Sequence, residues 1–261
     1  MLNAAGAVNA TGRLYLLLDA NVVADFFLGT HAGNQKAAGR IQAIVEAVRT
    51  QAVTSIVLYV PNICIPEVMS AFDKQAFGIW NKQVKNKLDV RRHRRLRRLF
   101  SEYIHNGTVF EQYEVNRYHV LATDLISPID HRYQITRKTT SGRRVTIPMQ
   151  AVDHLIVGMG IVLVRIAGRD NVLLLTSDQR MCAVIDKARD KVSSPVAREL
   201  GLPERAKALG YKWTVDLFPR VLNLKTATKV ELVSAFGQWP LSAPVTSSGP
   251  RAQALPKWAI V

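Results

Sequence analysis

The chain has 261 residues, 48% hydrophobic and 21% charged, a balance that suits a folded globular protein of one or two domains and argues against a disordered or fibrous one. Lys and Arg outnumber Asp and Glu by 35 to 20, a net charge of +15, so its field draws in polyanions more readily than neutral metabolites. Only two cysteines occur, Cys64 and Cys182, both in apolar stretches, which argues against a disulfide scaffold and fits free thiols in a reducing compartment.

In chain order, Arg13 to Asp19 (RLYLLLD) is a short apolar run closed by an acid, the pattern of a buried strand. Helix is expected over Ala20 to Leu28 and Asn34 to Thr50, then strand over Ser55 to Val60. Pro66 fits the first turn of a helix through EVMSAF, where its missing N–H is not needed. A long helix is expected from Gly78 to Ile104 and another from Gln112 to Ile126. Residues 133 to 147 alternate around Ser-Gly, the mark of a β-hairpin. A helix from Met149 to Ala167 leads into a buried strand, Val172 to Leu175, ending TSD, and helix resumes at Gln179. A strand is expected at Lys212 to Val215.

Alternating strands and helices predict an α/β fold, a Rossmann-like α/β/α sandwich around a parallel sheet. The main domain is expected over 13–218, with a basic helical and hairpin insertion at 78–148. A Pro- and Ser-rich C-terminal extension occupies 219–261, and Trp239 and Trp258 could pin it to the body. No apolar run reaches the roughly 18 residues of a membrane span, and MLNAAGAVNATGR lacks a basic segment followed by a long apolar core. A cytoplasmic protein without a membrane partner is the expectation.

Four acids carry the chemistry: Asp19, Glu67, Asp153 and Asp178. Each alone has a structural explanation, since all four fall at helix starts, where acids cap N–H groups and favour the macrodipole. Together they read differently. Asp19 and Asp178 each close a buried strand, and parallel sheets bind ligands beyond their strands' carboxyl ends. Converging carboxylates with no Lys or Arg among them repel one another, and a hard divalent cation such as Mg²⁺ or Mn²⁺ relieves that. Such a cation activates water and stabilises charge on phosphate, which with a basic surface points to phosphodiester hydrolysis.

The segments LYLLLDANVV, CIPEVMSAF, AVDHLIVGMG and LLLTSDQRM resemble, in order, the four acidic motifs of the PIN-domain family of metal-dependent ribonucleases, which includes toxin-type members. That resemblance implies an endoribonuclease with Asp19, Glu67, Asp153 and Asp178 as metal-binding catalytic acids. It also implies Asn21, Thr176 and Ser177 as the polar residues that order the site. Two departures stand out. The gap between Glu67 and Asp153 is long, which leaves Asp124 and Asp130 as alternatives for the third acid, and His154 stands where a small residue is usual.

Two basic segments are candidates for RNA contact. In NKQVKNKLDVRRHRRLRRLFSEYI, a helix would put Leu96, Leu99, Phe100 and Tyr103 on one face and Lys87, Arg91, Arg94 and Arg98 on the other, with Arg92 on the apolar side. The hairpin adds Arg137, Lys138, Arg143 and Arg144. Each also fits a plain solvated surface, or a face for an acidic protein such as an antitoxin; a homodimer stays open too. A catalytically weak RNA-binding or assembly module is the alternative to the nuclease. A phosphatase of the haloacid dehalogenase type ranks below both, because Asn21 occupies the position where that chemistry needs a second Asp.

Overall fold

The computed structural model describes residues 12–78, 87–133, 136–138, 144–146 and 148–241. Strand β1 (Leu14–Leu18) is the apolar run read from sequence, and its last three residues are buried. Helix α1 (Ala20–Leu28) follows at once, then α2 (Gln35–Arg49), capped by the Asn34 side chain, which accepts from the Ala37 N–H at 3.1 Å. Next come β2 (Ile56–Pro61) and α3 (Ile65–Phe77), with Pro66 in the first turn of α3.

Of the helix expected from Gly78 to Ile104, residues 79–86 lie outside the described residues, and Gly78 and residues 87–89 on either side of them are not helical. Gly78 caps the C-terminus of α3 with φ of +26°, a backbone angle that suits Gly, and among the described residues the next helix, α4 (Val90–Asn106), starts after the Asp89 cap. The helix expected over Gln112 to Ile126 is also corrected. Phe110–Tyr113 is a strand, β3, and only then does α5 (Arg117–Ala122) begin behind an Asn116 cap. Helix α6 (Ser127–Tyr133) precedes the hairpin β4 (Thr136–Lys138) and β5 (Arg144–Thr146), paired antiparallel as the alternation suggested.

Helix α7 (Ala151–Ala167) delivers the chain to β6 (Val172–Thr176), buried throughout. Helices α8 (Gln179–Asp190), α9 (Pro195–Glu199) and α10 (Leu202–Ala208) follow. The strand expected at Lys212 to Val215 lies instead at β7 (Arg220–Asn223), and α11 (Lys229–Phe236) comes last. Trp213 is drawn out of any ladder: its indole packs edge-on against Phe218, 5.5 Å between centroids, and donates to the Val192 carbonyl at 2.9 Å. Strand β7 takes the sheet past residue 218, into the segment read as an extension. Trp239 packs on Phe236, 5.8 Å between centroids, and Trp258 lies outside the described residues.

The five strands are parallel and ordered β3-β2-β1-β6-β7, the central sheet of an α/β/α sandwich. From β1 the chain winds outward through β2 to β3, then crosses back to place β6 on the other side of β1. The winding reverses between β1 and β6, and such a reversal opens a crevice at the strands' carboxyl ends. Helices α1 to α4 pack on one another, as do α5 with α7 and α6 with α8. Between α1, α3, α4 and β3 sits an aromatic cluster, in which Phe27 meets Phe100 at 5.2 Å and Phe72 meets Phe100 at 5.9 Å. Helix α7 approaches α5 closely enough to need Gly158, since a Cβ there would lie 2.5 Å from the His119 carbonyl oxygen.

Candidate functional site

Asp19 and Asp178 leave the sheet at its point of reversal, Asp19 directly after β1 and Asp178 two residues after β6. The Asp19 N–H donates to the Leu175 carbonyl at 3.0 Å, which ties the two strand ends together. Asp19 is 3% exposed, and its side chain does not cap α1. Its Oδ2 instead accepts from the Thr176 hydroxyl at 2.6 Å and the Asn21 amide at 2.5 Å. Thr176 Oγ1 in turn accepts the Asp178 N–H at 2.9 Å, and Asn21 Oδ1 accepts the Ser177 N–H at 2.8 Å. Thr176, Asn21 and Ser177 thus lock the β6 terminus onto Asp19.

Asp178 does act as a helix cap, accepting the Arg180 N–H at 2.7 Å. Glu67 lies in the first turn of α3, and Asp153 in the first turn of α7, where it accepts the Gln150 N–H at 2.9 Å. Burial, then the charges of Asp153 and Asp178, push Asp19 up to about 7 against the hydrogen bond from Thr176. Burial and Asp153 raise Glu67 in the same way, and burial and Asp178 raise Asp153. The four carboxylates therefore sense one another, with Asp153 coupled to all three others. They do not close into a tight knot: among the described residues, no three of them bring oxygens within 4.8 Å of one another.

The expectation of no Lys or Arg among them needs correction. Arg180 lies close enough to oppose the rise of Asp153, and Lys74 opposes that of Glu67. Arg180 is anchored by Asp130, to whose oxygens it donates at 3.0 and 3.2 Å. Asp130, 1% exposed, also accepts the Met149 N–H at 2.7 Å and bonds His154 Nε2 at 3.1 Å. Asp124 pairs at the surface with Arg205. Both alternatives for the third acid are thus occupied by other partners, while Asp153 is one of the charges acting on Asp19. His154 is buried and held by Asp130.

Two side chains by the site were not read from the sequence as part of it. Asp25, on α1, receives a long 3.5 Å contact from Ser177 Oγ, and burial pushes it up to about 6 while Lys225 opposes. Its signal was available, since Asp25 is the one charged residue in the helix ANVVADFFL. Cys64, buried just before α3, is the other; burial and the charges of Asp19 and Glu67 push its thiol up, so it stays protonated at neutral pH.

The basic helix is differently placed from its expectation. Arg91, Arg94 and Arg98 are exposed on α4, with Arg98 paired to Glu102 at 3.3 Å. Lys87 precedes the helix, lying over Gly78 instead of continuing that face. Leu96 and Phe100 are buried as expected, with Leu99 and Tyr103 partly so, but His93 and Ile104 join them, and Arg92 is only partly exposed. His93 and Arg97 bond Asp73 at 2.7 and 2.8 Å, and His93 packs on Phe77, which sets the start of α4 beside the end of α3. Asp73 and Phe77 are six and ten residues beyond Glu67, so His93, between Arg91 and Arg94, lies about 9–15 Å along the α3 axis from that acid. Arg143 and the side chains of Arg137, Lys138 and Arg144 lie outside the described residues.

Compared with family models, curated proteins and solved structures, the chain matches none of them.

Proposed function

We propose that this chain is a metal-dependent endoribonuclease, hydrolysing RNA phosphodiester bonds at the crevice ringed by Asp19, Glu67, Asp153 and Asp178. The observation that carries the proposal is the coupling of these four acids around a buried carboxylate at the reversal of a parallel sheet. The donor set fits Mg²⁺ or Mn²⁺, because it offers oxygens alone, the neighbouring Cys64 thiol staying protonated. Its looseness fits too, since Mg²⁺ keeps several waters and takes one or two carboxylates directly.

Asp19, Glu67, Asp153 and Asp178 would hold the ion. When bound, it would lower the pKa of a water and neutralise charge building on the phosphate. The chain's own contribution is preorganisation. Thr176 and Asn21 fix the Asp19 carboxylate through its Oδ2. Asp178 is held at the start of α8, whose N-terminal dipole favours an anion there. Arg180, fixed by Asp130, stands close enough to Asp153 to favour its charged form. The basic surface, net +15 over the chain, gathers RNA without reading its bases.

The test is cleavage of single-stranded RNA by purified protein with Mn²⁺ or with EDTA. Cleavage should require the metal and leave a 5′-phosphate and a 3′-hydroxyl. Asp19→Asn and Asp178→Asn should each lower it by at least about a hundredfold, as Asn retains capping ability at 178. RNA binding without metal-dependent cleavage would instead favour a binding or assembly module.

A further inference from the structure

Beside the carboxylate crevice lies a second cluster of different chemistry. One ligand atom each of Asp130, His131 and His154 falls within 4.8 Å of the others. His131 comes from α6 and His154 from α7, and their rings stack at 22° with centroids 6.1 Å apart. The contacts of each ring set the nitrogen that it offers to an ion. His131 Nδ1 lies 2.9 Å from the Ser127 carbonyl, which can only accept, so Nδ1 carries the proton and Nε2 presents a lone pair. His154 Nε2 lies 3.1 Å from the Asp130 Oδ2, close to the separation of two ligands on one ion, so an ion there would take the place of the proton that the two atoms share. In metal-ligating histidines the second ring nitrogen is pinned by a group such as a carbonyl, as Nδ1 of His131 is here.

We propose that His131, His154 and Asp130 form a binding site for a Zn²⁺-class transition-metal ion, separate from the carboxylate crevice. Tetrahedral Zn²⁺ with ligands at about 2.0–2.1 Å needs donors about 3.4 Å apart, so the cluster must contract by up to about 1.4 Å. His131 is exposed and free to swing that far, while His154 and Asp130 are buried and stay. Arg180 decides which metal is taken. Its guanidinium already neutralises Asp130, so the carboxylate attracts a hard cation weakly and the two imidazoles must carry the affinity. Imidazole favours Zn²⁺, Ni²⁺ or Cu²⁺ over Mg²⁺ or Ca²⁺. The ion would clamp α6 to the first turn of α7, which carries Asp153.

This metal site does not depend on the nuclease reading, and the test separates the two. Full-length protein carrying Asp19→Asn, which disables the carboxylate crevice, is titrated with Zn²⁺ alone by calorimetry, and with Co²⁺ to read coordination from its visible absorption. One equivalent should bind, with the spectrum of a nitrogen-ligated ion, and a large excess of Mg²⁺ should not displace it. Adding His131→Gln, an exposed change that spares the buried network, should weaken Zn²⁺ binding by at least about tenfold. Equal Zn²⁺ affinity with and without His131→Gln, or displacement by Mg²⁺, would overturn the proposal.

Discussion

Replacing Asp19 by Asn asks whether a buried carboxylate at the heart of the crevice opposes folding. In the native state burial and the charges of Asp153 and Asp178 lift Asp19 from an ordinary value of 3.8 to about 7. Between those pH values the folded chain holds a proton that the unfolded chain has released, so stability falls as pH rises through the window and levels off above it. A rise of about three pH units corresponds to about 4 kcal/mol, an upper bound because the site can relax or admit water. Asn avoids this cost and keeps an oxygen for the Thr176 and Asn21 donors. Half of the bound, about 2 kcal/mol, would raise Tm by about 4–8 °C in a domain of this size. The assay is thermal unfolding of both proteins in EDTA from about pH 4 to about pH 8. The Tm difference should be near zero at the acid end, grow toward neutral pH and then hold. Mn²⁺ should raise the wild-type Tm above its EDTA value and leave the variant nearly unchanged, by mass action on the native state. A variant that melts at or below wild type at about pH 8, or by a margin that does not vary with pH, would refute the reasoning.

Two further outcomes follow from the packing and the surface charge. Gly158→Ala should lower stability by about 1–3 kcal/mol, read as a lower denaturation midpoint with an unchanged slope, because its Cβ would meet the His119 carbonyl oxygen at 2.5 Å and push α7 off α5. Changing Arg91, Arg94 and Arg98 together to Gln should raise KM for long single-stranded RNA and lower its salt slope by roughly 0.7 for each phosphate no longer neutralised.

The elements legible in the sequence were those whose signal is local. Strands β1 and β6 are apolar runs buried on both faces, as central parallel strands must be, and each is closed by a short polar stretch bearing an acid. Pro66 in the first turn of α3 and the alternation that marks β4 and β5 are likewise local signals. Strand β3 was missed because it lies at the sheet edge: Phe110 is buried, but Glu111 and Gln112 face solvent, so FEQY has no apolar run to read. Lys212 to Val215 alternates like a strand, yet the packing of Trp213 on Phe218 and its bond to Val192 hold it in a loop.

The candidate acids were named from sequence because each sits beside a strand end or a helix start, positions that residue type and hydrophobic pattern mark directly. Their mutual influence could not be read that way. It requires the crossover that returns β6 to the side of β1, which brings together residues 157 apart in sequence, as in the Thr176 bond to Asp19. The third acid shows the division most clearly. The sequence favours Asp153 over Asp124 and Asp130 only through the apolar helix that leads from it into β6. Only the tertiary structure commits Asp130 to Arg180, fifty residues away, and Asp124 to Arg205, leaving Asp153 to act on Asp19. Hydrophobic periodicity records which side of an element is buried, and so the sequence determined the layers. Which charges meet across them depends on strand order and helix packing, and those arise from the balance of interactions over the whole chain.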